Sequence, residues 1–125
     1  MLDHPIISIV DDDESVRLAI KSLLNALGFT THPFSSAEDF LKSAVLRETS
    51  CLILDIQMPK MSGIELQQLL VSQGVRTPII FITAFPQDTT RTRALEAGAI
   101  CFLSKPFDEK VLLRCINKAL EYERR

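Results

Sequence analysis

The runs IISIV at 6–10, CLILD at 51–55 and PIIFIT at 78–83 are almost wholly apolar and rich in β-branched residues. A strand with one wet face alternates apolar and polar residues, and an amphipathic helix interrupts its apolar positions every few residues. Unbroken short runs therefore fit strands covered on both faces, as in a parallel sheet. TTHPF at 30–34 and ICFLS at 100–104 are weaker candidates, and Pro33, which has no N–H for a ladder, puts the first of them at an edge.

Helical spacing fills the intervals. Val16, Ile20, Leu23, Leu24 and Leu27 share one face, and Gly28 follows where a helix would end. Ser35 and Glu38 have capping-box spacing ahead of Phe40, Leu41 and Ala44. Ile64, Leu66, Leu69 and Leu70 mark a third helix, and Arg93, Ala94, Leu95 and Ala97 a fourth that ends at Gly98. Leu112, Leu113, Ile116, Ala119 and Leu120 mark a fifth, starting near Asp108. Parallel strands need crossovers, and the crossovers are helices. The pattern predicts an α/β fold of the flavodoxin-like (βα)5 kind, a doubly wound five-stranded parallel sheet in the order 2-1-3-4-5.

A chain of 125 residues is one domain long and buries roughly two-thirds of its unfolded surface, so residues 1–125 are read as a single domain. An apolar content of 46% excludes disorder, and no apolar run approaches the ~20 residues of a membrane span. The start MLDHPIISIV has no basic segment and carries Asp3, unlike a secretory signal, so a cytoplasmic location is expected. A net charge of −2 argues against direct nucleic-acid binding. Cys51, Cys101 and Cys115 are isolated in apolar segments and are expected as buried free thiols.

In such a sheet, ligands sit beyond the carboxyl ends of the strands, near the switch point between strands 1 and 3. The first strand runs into Asp11, Asp12 and Asp13, the third ends in Asp55, the fourth in Thr83, and Lys105 follows the fifth. Each residue has an ordinary explanation as a cap, a turn or a solvated charge, and Asp13, ahead of Glu14-Ser15-Val16, reads as a helix cap. Their convergence on one rim is the functional signal. Packed carboxylates repel, so one takes up a proton or a divalent cation neutralises them. Oxygen ligands without His or Cys suit Mg²⁺, or Mn²⁺, and such a cation attracts phosphate oxygens. Phosphoryl transfer needs mainly positioning and charge neutralisation, and a carboxylate nucleophile yields an aspartyl phosphate.

With Asp11-Asp12 after the first strand, D-I-Q-M-P-K-M-S-G at 55–63, I-F-I-T-A at 80–84 and Lys105-Pro106, the whole chain resembles the receiver domain of two-component response regulators. In style it is closest to receivers fused to helix-turn-helix DNA-binding domains. The resemblance implies that Asp55 is the phosphoacceptor, and that Asp12 ligates Mg²⁺ directly and Asp11 through water. It further implies that the backbone carbonyl of Gln57 is a third protein ligand. Lys105 would pair with a phosphoryl oxygen, Thr83 would bond the arriving group, and Phe102 would be the switch aromatic, although plain core packing explains a Phe there equally well. Pro106 would follow a cis bond that aims Lys105, and Gly63 is expected to serve a backbone turn.

The implied partners are a sensor histidine kinase, an output or DNA-binding domain in a longer regulator of which this is the N-terminal part, and a phosphorylation-dependent homodimer. The responsive surface would be made by the fourth helix, fifth strand and fifth helix, and the ending E-Y-E-R-R reads as the approach to a linker. Gln57 and Phe85 depart from the best-studied pattern: Gln57 could orient a water and Phe85 could shield the acyl phosphate. Three rival readings are weaker. In a haloacid-dehalogenase-type phosphatase built on Asp11 and Asp13, Asp55 would have no task. The acidic DDDES would repel a flavin phosphate. A degenerate receiver would not keep a complete acidic site.

Overall fold

A computed structural model describes residues 4–123, so Asp3 and the final Arg-Arg of the E-Y-E-R-R ending lie outside the described residues. Strands β1 (Ile6–Val10), β2 (Thr30–Phe34), β3 (Cys51–Asp55), β4 (Ile79–Thr83) and β5 (Cys101–Ser104) alternate with helices α1 (Glu14–Ala26), α2 (Ala37–Leu41), α3 (Gly63–Ser72), α4 (Asp88–Glu96) and α5 (Glu109–Glu123). All pairings are parallel and the order is β2-β1-β3-β4-β5, with the proline-containing strand at an edge, as its missing N–H requires.

The unbroken apolar runs divide by the two-residue period of a strand. Ile7, Ile9, Cys51, Ile53, Ile80 and Ile82 face one layer, where Ile20 and Leu24 of α1 and Leu112, Ile116 and Ala119 of α5 cover them. Val10, Leu52, Leu54, Ile79 and Phe81 face the other, under Phe40 of α2, Leu66 and Leu70 of α3 and Ala94 of α4. Each fully buried Leu, Ile or Phe contributes about 1.5–3 kcal/mol, so covering both faces is what holds the sheet. On β1, Ser8 breaks the run, and its hydroxyl is satisfied in the core by Thr49 Oγ1 at 2.7 Å.

Four local features differ from the sequence reading. The α2 cap is Ser36, whose Oγ accepts from the Asp39 N–H at 3.1 Å; Ser35 lies one residue outside it. The capping box occurs instead on α3, where Ser62 and Glu65 satisfy each other's backbone N–H groups. Helix α4 begins at Asp88, well before Arg93; Ala94 is its buried residue, so most of it carries no apolar stripe to be read. Cys101 of β5 and Cys115 of α5 are joined as a disulfide, with Cα atoms 6.2 Å apart, because α5 packs back over the sheet; Cys51 remains a buried free thiol, its pKa pushed by burial up to about 12.

No helix among the described residues is long and apolar enough to cross a membrane. The topology brings the carboxyl ends of β1, β3 and β4 side by side, with Val10 opposite Leu54 and Asp55 opposite Ile82.

Candidate functional site

The residues following β1 and those ending β3 meet in an acidic cluster. Carboxylate oxygens of Asp11, Asp12 and Asp55 all lie within 4.8 Å of one another. Asp11 and Asp55 are buried and Asp12 is exposed. Asp11 is held firmly: its Oδ1 accepts from the Asp13 N–H at 2.8 Å, its backbone N–H donates to the Phe34 carbonyl at 3.1 Å, and its carbonyl accepts from Arg17 Nη1 at 2.8 Å. Asp13 caps α1, as its position predicted, accepting from the Ser15 and Val16 N–H groups.

Lys105, just past β5, places Nζ 3.0 Å from Asp11 Oδ2 and 3.4 Å from Asp55 Oδ1. Its backbone N–H donates to the Thr83 carbonyl at 2.8 Å, which ties the loop after β5 to the end of β4. The Lys105–Pro106 bond is cis. Burial disfavours the ammonium, but hydrogen bonding and charge from Asp11, then Asp55, outweigh it and raise the Lys105 pKa. Asp55 is pushed up from 3.8 to about 7, first by burial and then by the Asp11 charge, with Lys105 opposing and Asp12 adding to the rise. One ammonium thus faces a cluster of three carboxylates. That excess negative charge, on oxygen donors alone, fits a hard divalent cation, so the cluster could hold a metal ion.

Gly63 has a part that sequence reasoning misassigned. It opens α3 with ordinary negative φ, and a Cβ there would overlap the backbone carbonyl oxygen of Asp55. Its N–H donates to the Ile56 carbonyl at 2.9 Å. The missing side chain lets α3 press against the backbone that presents Asp55, which is a matter of approach and not of turn conformation.

Thr83 is fully buried at the end of β4. Its hydroxyl donates to Gln57 Oε1 at 2.5 Å and accepts from the Phe85 N–H at 3.0 Å. The Phe85 ring is 67% exposed and stands largely in solvent. Phe102 on β5 is half-buried, its ring centroid 6.4 Å from that of Phe81. Sequence reasoning did not single out Arg17, whose signal was its place one turn into α1, or the side chain of Gln57 as a partner for Thr83.

The response regulator receiver domain family matches residues 7–117. The response regulator protein TmoT of Ectopseudomonas mendocina is 43% identical over 116 residues, covering 93% of this chain and 53% of TmoT. The transcriptional regulatory protein FixJ of Rhizobium meliloti is 36% identical over 122 residues, covering 98% of this chain and 59% of FixJ. The solved structure of the response regulator StyR superposes with a TM-score of 0.90 at 43% identity, covering 97% of this chain and 61% of that one. The chain spans about half the length of the curated relatives it matches. With the parallel order β2-β1-β3-β4-β5 and an acidic cluster at its switch point, the chain belongs to the response regulator receiver domain family, a family of signalling domains.

Proposed function

We propose that this chain is a phosphoacceptor switch in which Asp55 takes a phosphoryl group from the phosphohistidine of a sensor histidine kinase. The observation that supports it most is the assembly at one rim of the buried Asp55 carboxylate, a second carboxylate pair, the Lys105 ammonium and the Thr83 hydroxyl.

In the transfer, an Asp55 carboxylate oxygen bonds to phosphorus while the phosphorus–nitrogen bond of the donor breaks, and the electron pair leaves with the imidazole, which takes its proton from solvent. Asp11, Asp12, Asp55 and the Gln57 carbonyl would hold Mg²⁺ or Mn²⁺, which when bound neutralises charge on the transferring oxygens. Lys105 shifts from its carboxylate partners to a phosphoryl oxygen. The new group carries about −2 charge, and Thr83 turns its hydroxyl toward it. Phe102 can then rotate inward and alter the surface formed by α4, β5 and α5. The ligand biases two arrangements that already interconvert.

On this reading the chain assists its own phosphorylation and slow dephosphorylation without being an enzyme that turns over a substrate. Residues 1–125 form the N-terminal receiver of a longer cytoplasmic regulator whose output domain acts on transcription, as the names of FixJ and similar relatives suggest. Phosphorylation would promote a homodimer through the responsive surface. The test is intact mass after mixing with acetyl phosphate. The expected result is a gain of one phosphoryl group that needs Mg²⁺ and then decays without multiple turnover. A protein that releases phosphate continuously and never carries it would fit the phosphatase reading instead.

A further inference from the structure

We propose that the Gln57 side chain is a latch that holds Thr83 in its resting position and sets how strongly the domain resists activation. The proposal rests on the phosphoacceptor reading and concerns the same site.

A threonine hydroxyl has one proton to donate. In this structure that proton goes to Gln57 Oε1 at 2.5 Å, while the Thr83 oxygen accepts from the Phe85 N–H at 3.0 Å. Thr83 is fully buried, so its hydroxyl cannot fall back on water, and both its partners are protein groups. A phosphoryl group on Asp55 carries only acceptor oxygens, and to bond Thr83 it must take the same proton. Gln57 and the phosphoryl group therefore compete for one donor.

Gln57 itself is exposed, so once released its amide is satisfied by solvent at little cost. It lies in the loop that follows β3, two residues beyond Asp55, and reaches across to the end of β4. The residue that helps to define the resting state is thus attached to the strand that carries the phosphoacceptor. The same residue's backbone carbonyl is a proposed metal ligand, which a side-chain substitution leaves in place.

A ligand of the active arrangement must break the Thr83–Gln57 hydrogen bond before it gains its own. Removing the acceptor should favour the active arrangement by the net worth of one part-buried hydrogen bond, roughly two- to tenfold in affinity. Gln57→Met keeps the length of the side chain and deletes the acceptor oxygen.

The experiment measures binding of beryllofluoride, whose beryllium takes a carboxylate oxygen of Asp55 and whose fluorines stand in for the acceptor oxygens of a phosphoryl group, in the presence of Mg²⁺ by titration calorimetry. Wild type, Gln57→Met, Thr83→Val and the double variant are compared. The latch predicts tighter binding in Gln57→Met and no effect of that substitution when Thr83 is already Val, since the coupling runs through the hydroxyl. In metal-free protein, it also predicts that the Thr83 methyl resonance moves in Gln57→Met toward its beryllofluoride-bound position. Equal or weaker binding by Gln57→Met, an effect that persists in Thr83→Val, or an unmoved Thr83 methyl would overturn the latch. A wild type that binds no beryllofluoride at all would sink the phosphoacceptor reading and the latch with it.

Discussion

Gly63→Ala lowers the thermal midpoint by roughly 10 °C and weakens phosphorylation out of proportion to that loss. The added methyl would overlap the Asp55 carbonyl oxygen and crowd the Asp55 carbonyl carbon and Ile56 Cα. These are backbone atoms at the end of β3, so no side-chain rotation relieves the clash. The Gly63 N–H to Ile56 carbonyl bond ties the same two segments together. Overpacking costs about 1–3 kcal/mol where neighbours can adjust, and this site falls at the upper end. Whatever relaxation occurs must move α3 or the backbone of Asp55, and the second displaces the carboxylate from Lys105 and Asp11. Gly28→Ala is the natural comparison. At φ 91° it suffers backbone strain of about 1–2 kcal/mol, but nothing lies within 4 Å of the new methyl. Calorimetry with a phosphorylation assay should show Gly28→Ala losing stability alone and Gly63→Ala losing both. Full phosphorylation by a folded Gly63→Ala protein would contradict the packing account.

In metal-free protein Asp55→Asn is stabilising, and the gain depends on pH. The Asp55 carboxyl is pushed up from 3.8 to about 7 by burial and by Asp11, against Lys105. In the unfolded chain it titrates near 3.9. Below about pH 4 it is protonated in both states and contributes nothing. Between about 4 and 7 the unfolded chain releases the proton before the folded one does, so wild-type stability falls as pH rises. Above about 7 the whole cost is present. A shift of this size corresponds to up to about 4 kcal/mol, and with relaxation of the cluster we expect about 2 kcal/mol, or ~5–10 °C, for Asp55→Asn at pH 8. The wild-type and variant melting curves should converge near pH 4. Added Mg²⁺ should narrow the gap at pH 8 by stabilising wild type more than the variant. A variant that melts below wild type at pH 8 without metal would show that the Lys105–Asp55 attraction outweighs the burial and repulsion.

Much of the molecule was legible because its strands are covered on both faces. The runs at 6–10, 51–55 and 78–83 became β1, β3 and β4, with β4 starting one residue late at Ile79. Once the strand order was expected, the rim followed, since Asp11, Asp55, Thr83 and Lys105 all occupy strand ends or the residues just beyond. What stayed hidden depends on contacts across the fold. The Cys101–Cys115 pairing depends on how α5 returns over the sheet, which no spacing of 14 residues reveals. Helix α4 was half-missed because D-T-T-R-T-R presents polar residues all round and only Ala94 is buried. Ser35 and Ser36 are equally good caps by chemistry, and their one-residue ambiguity is settled only by which hydroxyl meets the Asp39 N–H. The Thr83–Gln57 bond joins the end of β4 to the loop after β3, residues 26 positions apart, and has no local signature.

The most direct measurement of the central claim is to map the phosphorylated residue. After treatment with acetyl phosphate and Mg²⁺, borohydride reduces an aspartyl phosphate to homoserine, which peptide mass spectrometry locates. The account predicts homoserine at position 55 and none in Asp55→Asn. Homoserine at Asp11 or Asp12, or an Asp55→Asn protein modified as fully as wild type, would contradict it.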